Sequence, residues 1–403
     1  MVDIHTVMLM KTLRWVIFLA MVGWTAAVCA QVRILYGPYL QNLYDREVTV
    51  VWESSQPSVG WVELAPDDGT HFYASERPRR YDTENGVKRV STLHSVRITG
   101  LQPGTAYRYR VYVQEVLSHK GTRVRYGDIA ATDVWQRRPL KFTTLDPSKQ
   151  EFSFLMINDI HGRDSIAGRL LELGDYKKRD LIFFNGDMVT AFRDKQTVFD
   201  GFMSKAVSMF AAEQGMYYAR GNHETRGEFA TAFQQYFSPQ IPRLYYAFRH
   251  GPVAFVVLDT GEDKPDTDIE YCGITDYDNY RTEQQKWLEE LAGSEWLKEA
   301  SFVVAVFHMP PSEGEMWHGQ REVLEKFVPA LNRMGTDVML CGHLHTTRYN
   351  EADGAVHCPV LINSNASVLT VKASADSLQL EVLDLSGKSV LRKGLSSRRN
   401  ARR

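Results

Sequence analysis

The sequence predicts two domains in tandem, an all-β sandwich followed by an α/β sandwich of two β-sheets flanked by helices. Three observations predict it. The chain has 403 residues, more than one typical domain and enough for two separate cores. From Val32 to about Thr144, short alternating stretches (VTVVWE, GWVELA, HSVRITG, YRYRVYV) are separated by turn clusters such as PDDGT and QPGT, an all-β pattern. After the polar stretch TTLDPSKQE the period changes, and apolar runs of strand length alternate with segments that carry apolar residues at helical spacing.

At the N-terminus, Lys11 and Arg14 precede the apolar run WVIFLAMVGWTAAV and Val28-Cys29-Ala30. Residues 1–30 therefore read as a secretory signal peptide, with Met10 as the initiator and a secreted or periplasmic location. The apolar run counts 14 residues, short of the roughly 20 that span a bilayer as a helix, so no permanent membrane span is expected. Val28 stands where lipid attachment to Cys29 needs a small residue, which makes a lipoprotein the weaker expectation. Residues 31–146 are expected to form the β domain. Within them, Leu101-Gln-Pro-Gly-Thr-Ala-Tyr107, followed by Tyr109, Val111 and Val113, resembles a fibronectin type III sandwich with Tyr107 as its tyrosine corner and Trp52 in its core.

Residues 150–392 are expected to form the α/β domain. Runs 152–157, 181–184, 216–219, 302–307 and 338–340 read as buried strands, and GRLLELGDYKK, FDGFMSKAVSMFAAEQ, TEQQKWLEELAGSEWLKEA and REVLEKFVPALNRMG as helices. LYYAFRHG and VAFVVLDTG add two hairpin-like strands, and more strand-like runs follow from Val360 to Val390. Residues 393–403 form a basic tail.

Hydrophobic residues at 44% and charged residues at 24% exclude wholesale disorder and a multi-span membrane protein. The net charge of -2, with basic residues dense only in SSRRNARR, gives no nucleic-acid-binding signature and leaves the oligomeric state open. Beyond the leader, Cys272, Cys341 and Cys358 are too few for a disulfide framework. One bridge between Cys272 and Cys358 stays open, and Cys341 reads as a buried small hydrophobe.

Each of the five buried strands runs out into residues that are poor strand formers and good metal ligands. These are Asn158-Asp159-Ile160-His161-Gly162, Gly186-Asp187, Gly221-Asn222-His223-Glu224, His308 and Gly342-His343-Leu344-His345. In open α/β sheets ligands bind outside the carboxyl ends of the strands, so five such ends can converge on one place. The spacing of two in Asp159/His161 and His343/His345 puts each pair on one side of an extended segment. A lone buried histidine is usually core. Five blocks at successive strand ends would cost several kcal/mol each to bury uncompensated, and bound cations are the simplest compensation.

These five blocks, in this order, resemble the calcineurin-like metallophosphoesterase superfamily over roughly 152–386. With the β domain and its GPYLQNL and VTVVWE stretches in front, the whole chain resembles purple acid phosphatases. The resemblance implies that Asp159, His161, Asp187 and His345 hold one metal, and that Asn222, His308 and His343 hold a second, with Asp187 bridging. It implies His223 as general acid. The nitrogen and oxygen donor set suits two ions drawn from iron, zinc or manganese. Purple acid phosphatases carry a tyrosine three residues after the bridging aspartate, where this chain has Thr190, and lack the histidine that here is His161. An imidazole in place of a phenolate implies no visible charge-transfer band and a divalent pair, or iron with one divalent ion. Thr190 also stands where protein Ser/Thr phosphatases place the aspartate that orients their catalytic histidine. Glu224 is adjacent, with helix-start carboxylate as its other role.

Two such ions can lower the pKa of bound water to about 7 and clamp phosphoryl oxygens. The expected activity is hydrolysis of small phosphomonoesters. A phosphodiesterase or nucleotidase on the same site is the nearest alternative, and a non-catalytic cell-surface binding protein the alternative of another class. Arg163 and His318 are the candidate substrate contacts, the latter on the loop MPPSEGEMWHGQ. His71, His94, His119, His250 and His357 are read as structural.

Overall fold

The computed structural model describes residues 31–237, 243–311 and 317–397, so the leader expected over 1–30 and tail residues 398–403 lie outside the described residues. The N-terminal part contains β1 (Ile34–Gln41), β2 (Glu47–Pro66), β3 (Arg79–Tyr81), β4 (Thr83–Glu84), β5 (Val87–Lys88), β6 (Ser91–Thr99), β7 (Ala106–Lys120), β8 (Arg123–Ala131) and β9 (Leu140–Thr143). All but β4 and β5, which pair with each other, join one hydrogen-bonded sheet. Strand β2 pairs with β6 up to Glu53, breaks register, and pairs with β7 from Ser58 onward, which links both layers covalently. Val48, Val50 and Trp52 from its first half still meet Val62, Tyr109, Val111 and Phe142 in one core. The Tyr107 hydroxyl accepts the Gln102 N–H at 3.0 Å, the backbone tie expected of it.

The second part is built on two six-stranded sheets. The first contains β10 (Glu151–Ile157), β11 (Leu181–Asn185), β12 (Met216–Ala219), β19 (Ser367–Ser374), β20 (Ser377–Asp384) and β21 (Ser389–Ser396) in the order β12-β11-β10-β19-β20-β21. The second contains β13 (Tyr246–His250), β14 (Val253–Val257), β15 (Phe302–Val306), β16 (Val338–Cys341), β17 (Arg348–Asn350) and β18 (Val360–Ile362) in the order β13-β14-β15-β16-β18-β17. Alternate residues of each strand serve different faces. Phe154 and Met156 meet Phe255, Val304 and Leu340 between the sheets. Leu155, Ile157 and Phe184 face outward onto α1 (Asp164–Leu173) and α2 (residues 195–211). On the other side, Ala254, Val256 and Val303 face α3 (Tyr277–Ala292) and α4 (residues 318–334). Burial on both faces explains why these strands read as unbroken apolar runs.

Within the helical expectations, α1 stops at Gly174 before the YKK turn, and Gly293 divides the long TEQQ segment. Strand β21 pairs with β20 through Ser396, so residues 393–396 belong to the sheet rather than to the tail; Leu391 and Leu395 pack on the core between the sheets. Cys272 is exposed, Cys358 is buried beside Cys341, and none of the three is in a disulfide, which removes the Cys272–Cys358 bridge. The two parts are joined by buried polar contacts: Glu53 accepts from Lys195 Nζ at 2.8 Å and from the Tyr236 hydroxyl at 2.6 Å.

Candidate metal centre

Strands β10, β11 and β12 run parallel, as do β14, β15, β16 and β18, so the five block-bearing ends lie at the carboxyl edges of two sheets stacked face to face. The backbone there is not extended. Asp159, His161, Asp187, His343 and His345 all have positive φ, between 51° and 71°. Left-handed backbone is uncommon outside glycine and collects at functional sites. The i, i+2 pairs therefore do not meet their neighbours through strand alternation, as the sequence suggested. They do so through tight left-handed turns, which send His345 to Asp159 and His343 to Asn222.

Three groups of donor atoms come together, Asp159/His161/His345, His161/Asp187/His223 and Asp187/His308/His343. His345 Nε2 lies 3.1 Å from Asp159 Oδ1 and 3.2 Å from His161 Nε2. His308 Nε2 lies 3.1 Å from Asp187 Oδ2 and 3.8 Å from Asp159 Oδ1. His343 Nδ1 lies 3.1 Å from Asn222 Oδ1. Glycines permit this crowding: a Cβ at Gly221 would sit 2.2 Å from Asp187 Oδ1, and one at Gly186 would sit 2.5 Å from His308 Nδ1.

The charges interlock. Burial works to raise the Asp187 carboxyl, but His308 and His223 outweigh it and hold it below the ordinary carboxylate range. Burial works to lower His308, yet Asp187 and Asp159 bring it up to about 10. His343 is pushed down to about 4 by burial and then by His308. Two buried atoms, Asp159 Oδ1 and His308 Nε2, make no aligned hydrogen bond although they face this cluster. Hard and borderline donors left over in a buried acidic pocket fit a cation.

The supporting contacts fix which atom each side chain presents. His308 Nδ1–H donates to the Asn185 carbonyl at 2.7 Å, leaving Nε2 toward the cluster. Asp159 Oδ2 accepts from Asn158 Nδ2 and from the His343 N–H, leaving Oδ1 free. His223 Nδ1–H donates to the Thr190 carbonyl at 2.7 Å, and its Nε2 stands 4.0 Å from Asp187 Oδ2. A backbone carbonyl thus does for His223 what an aspartate at position 190 was expected to do elsewhere.

Glu224 departs from its helix-start reading. Its carboxylate is fully buried and accepts the N–H groups of Asp187, Met188 and Gly221 and the Tyr218 hydroxyl, at 2.6 to 2.9 Å. Sequence reasoning missed this role and that of Asn158; adjacency to the blocks was the available signal. Of the candidate substrate contacts, Arg163 has its guanidinium on the carbonyls of Asp159, Ile160 and Asn365, and His318 Nε2 lies 2.7 Å from Asp278 Oδ1 at the start of α4. Neither is within the donor cluster. Residues 312–316 of the loop before His318 lie outside the described residues.

Two stacked sheets with histidine and carboxylate turns at their shared carboxyl edge make a candidate metal centre of the kind phosphoesterases are built around. Residues 152–347 match the calcineurin-like phosphoesterase family and residues 38–126 the purple acid phosphatase N-terminal domain. The chain is thus a calcineurin-like phosphoesterase domain behind a purple acid phosphatase N-terminal domain. Its fold is that of purple acid phosphatase PPD1 from yellow lupin (Lupinus luteus) seeds, at 14% identity and a TM-score of 0.63 over 89% of this chain and 74% of that one. Weaker likenesses are GAP50, the anchor in the inner membrane complex of Plasmodium (14% identity, TM-score 0.47, 62% of this chain and 90% of that one), and 5'-nucleotidase from Candida albicans (14%, 0.37, 58% and 52%). No curated protein matches the chain. The family supports phosphoester hydrolysis and implies a metal pair. Among the described residues no helix is long and apolar enough to cross a membrane.

Proposed function

We propose that this is an exported phosphomonoesterase, its leader ending near residue 30 and its domains meeting near residue 148. One metal is held by Asp159, His161, Asp187 and His345, the other by Asp187, Asn222, His308 and His343. The observation that carries the reading is the position of Asp187, which belongs to the His161/His223 group and to the His308/His343 group at once. A metal pair bound there supplies an acidified water and charge neutralisation at a phosphoryl group.

The chain's own residues do the rest. The Thr190 carbonyl holds the His223 ring with its proton on Nδ1, and the partly exposed Nε2 edge is free to carry a second proton to a departing alkoxide. The Gly221, Asp187 and Met188 amides are locked on Glu224, so the turn carrying Asp187 does not need to reorganise during the reaction. With imidazole at His161 and threonine at Thr190, the pair is divalent or iron with one divalent ion, without a phenolate absorption band.

Elemental analysis of the purified protein, paired with a panel of phosphomonoesters, phosphodiesters and nucleotides, tests this. Two metals per chain with fastest turnover on monoesters is the expected result. Faster turnover on diesters or nucleotides would reassign the substrate, and a metal-free chain inert after reconstitution would end the enzymatic reading.

A further inference from the structure

The N-terminal domain displays a set of aromatic rings that its core does not absorb. Phe72 and Val134 are buried with Ala65 in a small core of their own. These anchors force their chain neighbours outward, leaving His71 and Trp135 exposed and Tyr73 half-buried. Trp135 is 66% exposed, far more than a packed tryptophan. Its ring lies 4.8 Å from His71 and 5.7 Å from Tyr73, the latter nearly parallel at 23°.

The supports of these rings are fixed. The Tyr73 hydroxyl donates to Glu63 at 2.6 Å and accepts from Arg110 at 2.9 Å. His71 Nδ1 accepts the Tyr73 N–H at 3.1 Å, and the Asp133 carboxylate accepts the N–H groups of Trp135 and Gln136 at 2.8 and 3.1 Å. Rings held this way lose little freedom when something covers them, which favours binding.

The size of the face selects the occupant. One indole flanked by two partly covered rings falls far below the roughly 800 Å² per partner of a stable protein interface. Its exposed chain neighbours Thr70, Gln136 and Arg137 are hydrogen-bonding groups rather than further apolar surface. A flat aromatic face bordered by polar groups is complementary to a sugar ring, whose C–H face packs on the π surface while its hydroxyls take the polar rim. The geometry points to Trp135, with Tyr73 and His71, as a carbohydrate-binding platform that takes one face of a pyranose unit in a glycan.

This site is on the other domain from the metal centre, so its test is independent of the hydrolytic reading. The full chain is run on native gels containing mannan, dextran, xylan or chondroitin sulfate. At least one polysaccharide should retard it, and Trp135→Ala should raise the dissociation constant at least tenfold, with Trp135→Phe intermediate. His71→Ala, a milder change, should weaken retardation in the same gel. Hydrolysis of p-nitrophenyl phosphate and the melting temperature should stay at wild-type values in both alanine variants. The proposal is overturned if none of the four retards the wild type, or if Trp135→Ala is retarded equally. A self-association in sedimentation that Trp135→Ala abolishes would also overturn it, by making the face a contact between copies.

Discussion

Each domain of the molecule contains a cluster of histidine and carboxylate, and the two differ in what surrounds them. In the N-terminal domain, Ser58 Oγ lies 2.9 Å from His94 Nε2, and His94 Nδ1 lies 3.4 Å from Asp82 Oδ2. By residue type this is the set used for acyl transfer. Yet Ser58, His94 and Asp82 are at most 1% exposed, the Trp52 ring lies 5.3 Å from that of His94, and Gly60 approaches so closely that a Cβ would stand 2.6 Å from His94 Nδ1. At the candidate metal centre the side chains of His161, His223 and His345 are 19%, 24% and 46% exposed. Five of its donor residues sit on left-handed backbone, whereas Ser58, His94 and Asp82 do not. The right residue types can therefore be only a polar staple. Solvent access and turns held in unfavourable conformations set apart the cluster for which we propose chemistry.

Removing one member at a time sharpens that contrast. His223→Ala should lower kcat by on the order of 10² to 10⁴ while metal content holds; loss of metal in step with activity would make His223 a ligand instead. Glu224→Ala strands the amides of Asp187, Met188 and Gly221 and should cost about 3 to 5 kcal/mol of stability in urea titration. A wild-type urea midpoint would mean that these amides find other partners.

A third buried histidine adds a pH term. Burial pushes His250 down to about 4, while the unfolded chain titrates near 6.5. Between those values only the unfolded state takes up the proton, so stability is full above the window and falls as the pH drops through it, by about 2 kcal/mol at pH 5. His250→Gln should flatten that loss when unfolding is compared at pH 7 and pH 5. The smallest effect belongs to His94→Ala, about 1 to 2 kcal/mol of stability with kcat and metal content unchanged. A fall in metal content there would erase the distinction between the two clusters.

Much of this architecture was legible in the amino-acid order. Apolar runs such as 152–157 and 302–307 are unbroken because both faces of each strand are covered, and the abrupt switch to Asp159 or His308, both still buried, marks where apolar packing gives way to the polar cluster. Contacts made by backbone across long separations were not legible. Nothing in Thr190 announces that its carbonyl will orient His223, since any residue supplies that atom. Glu224 looks like a helix-start carboxylate until the turn at Asp187, 37 positions earlier, is folded onto it. The handover of β2 from β6 to β7 likewise depends on an irregularity in register that alternation alone does not reveal.

The candidate metal centre draws Asp159, Asp187 and Asn222 from the ends of β10, β11 and β12, and His308 and His343 from the ends of β15 and β16. Asn185 Nδ2 reinforces the same seam by donating to the carbonyls of Phe307 and Leu340 on the opposite sheet. The complete donor set needs both sheets, since Asp159, His161, Asp187 and Asn222 follow strands of the first and His308, His343 and His345 follow strands of the second. Ions held by the complete set would bridge the two sheets, and their binding energy would favour the docked fold over either sheet alone. The centre would act as a final latch, making apoprotein the form in which the two halves most readily separate.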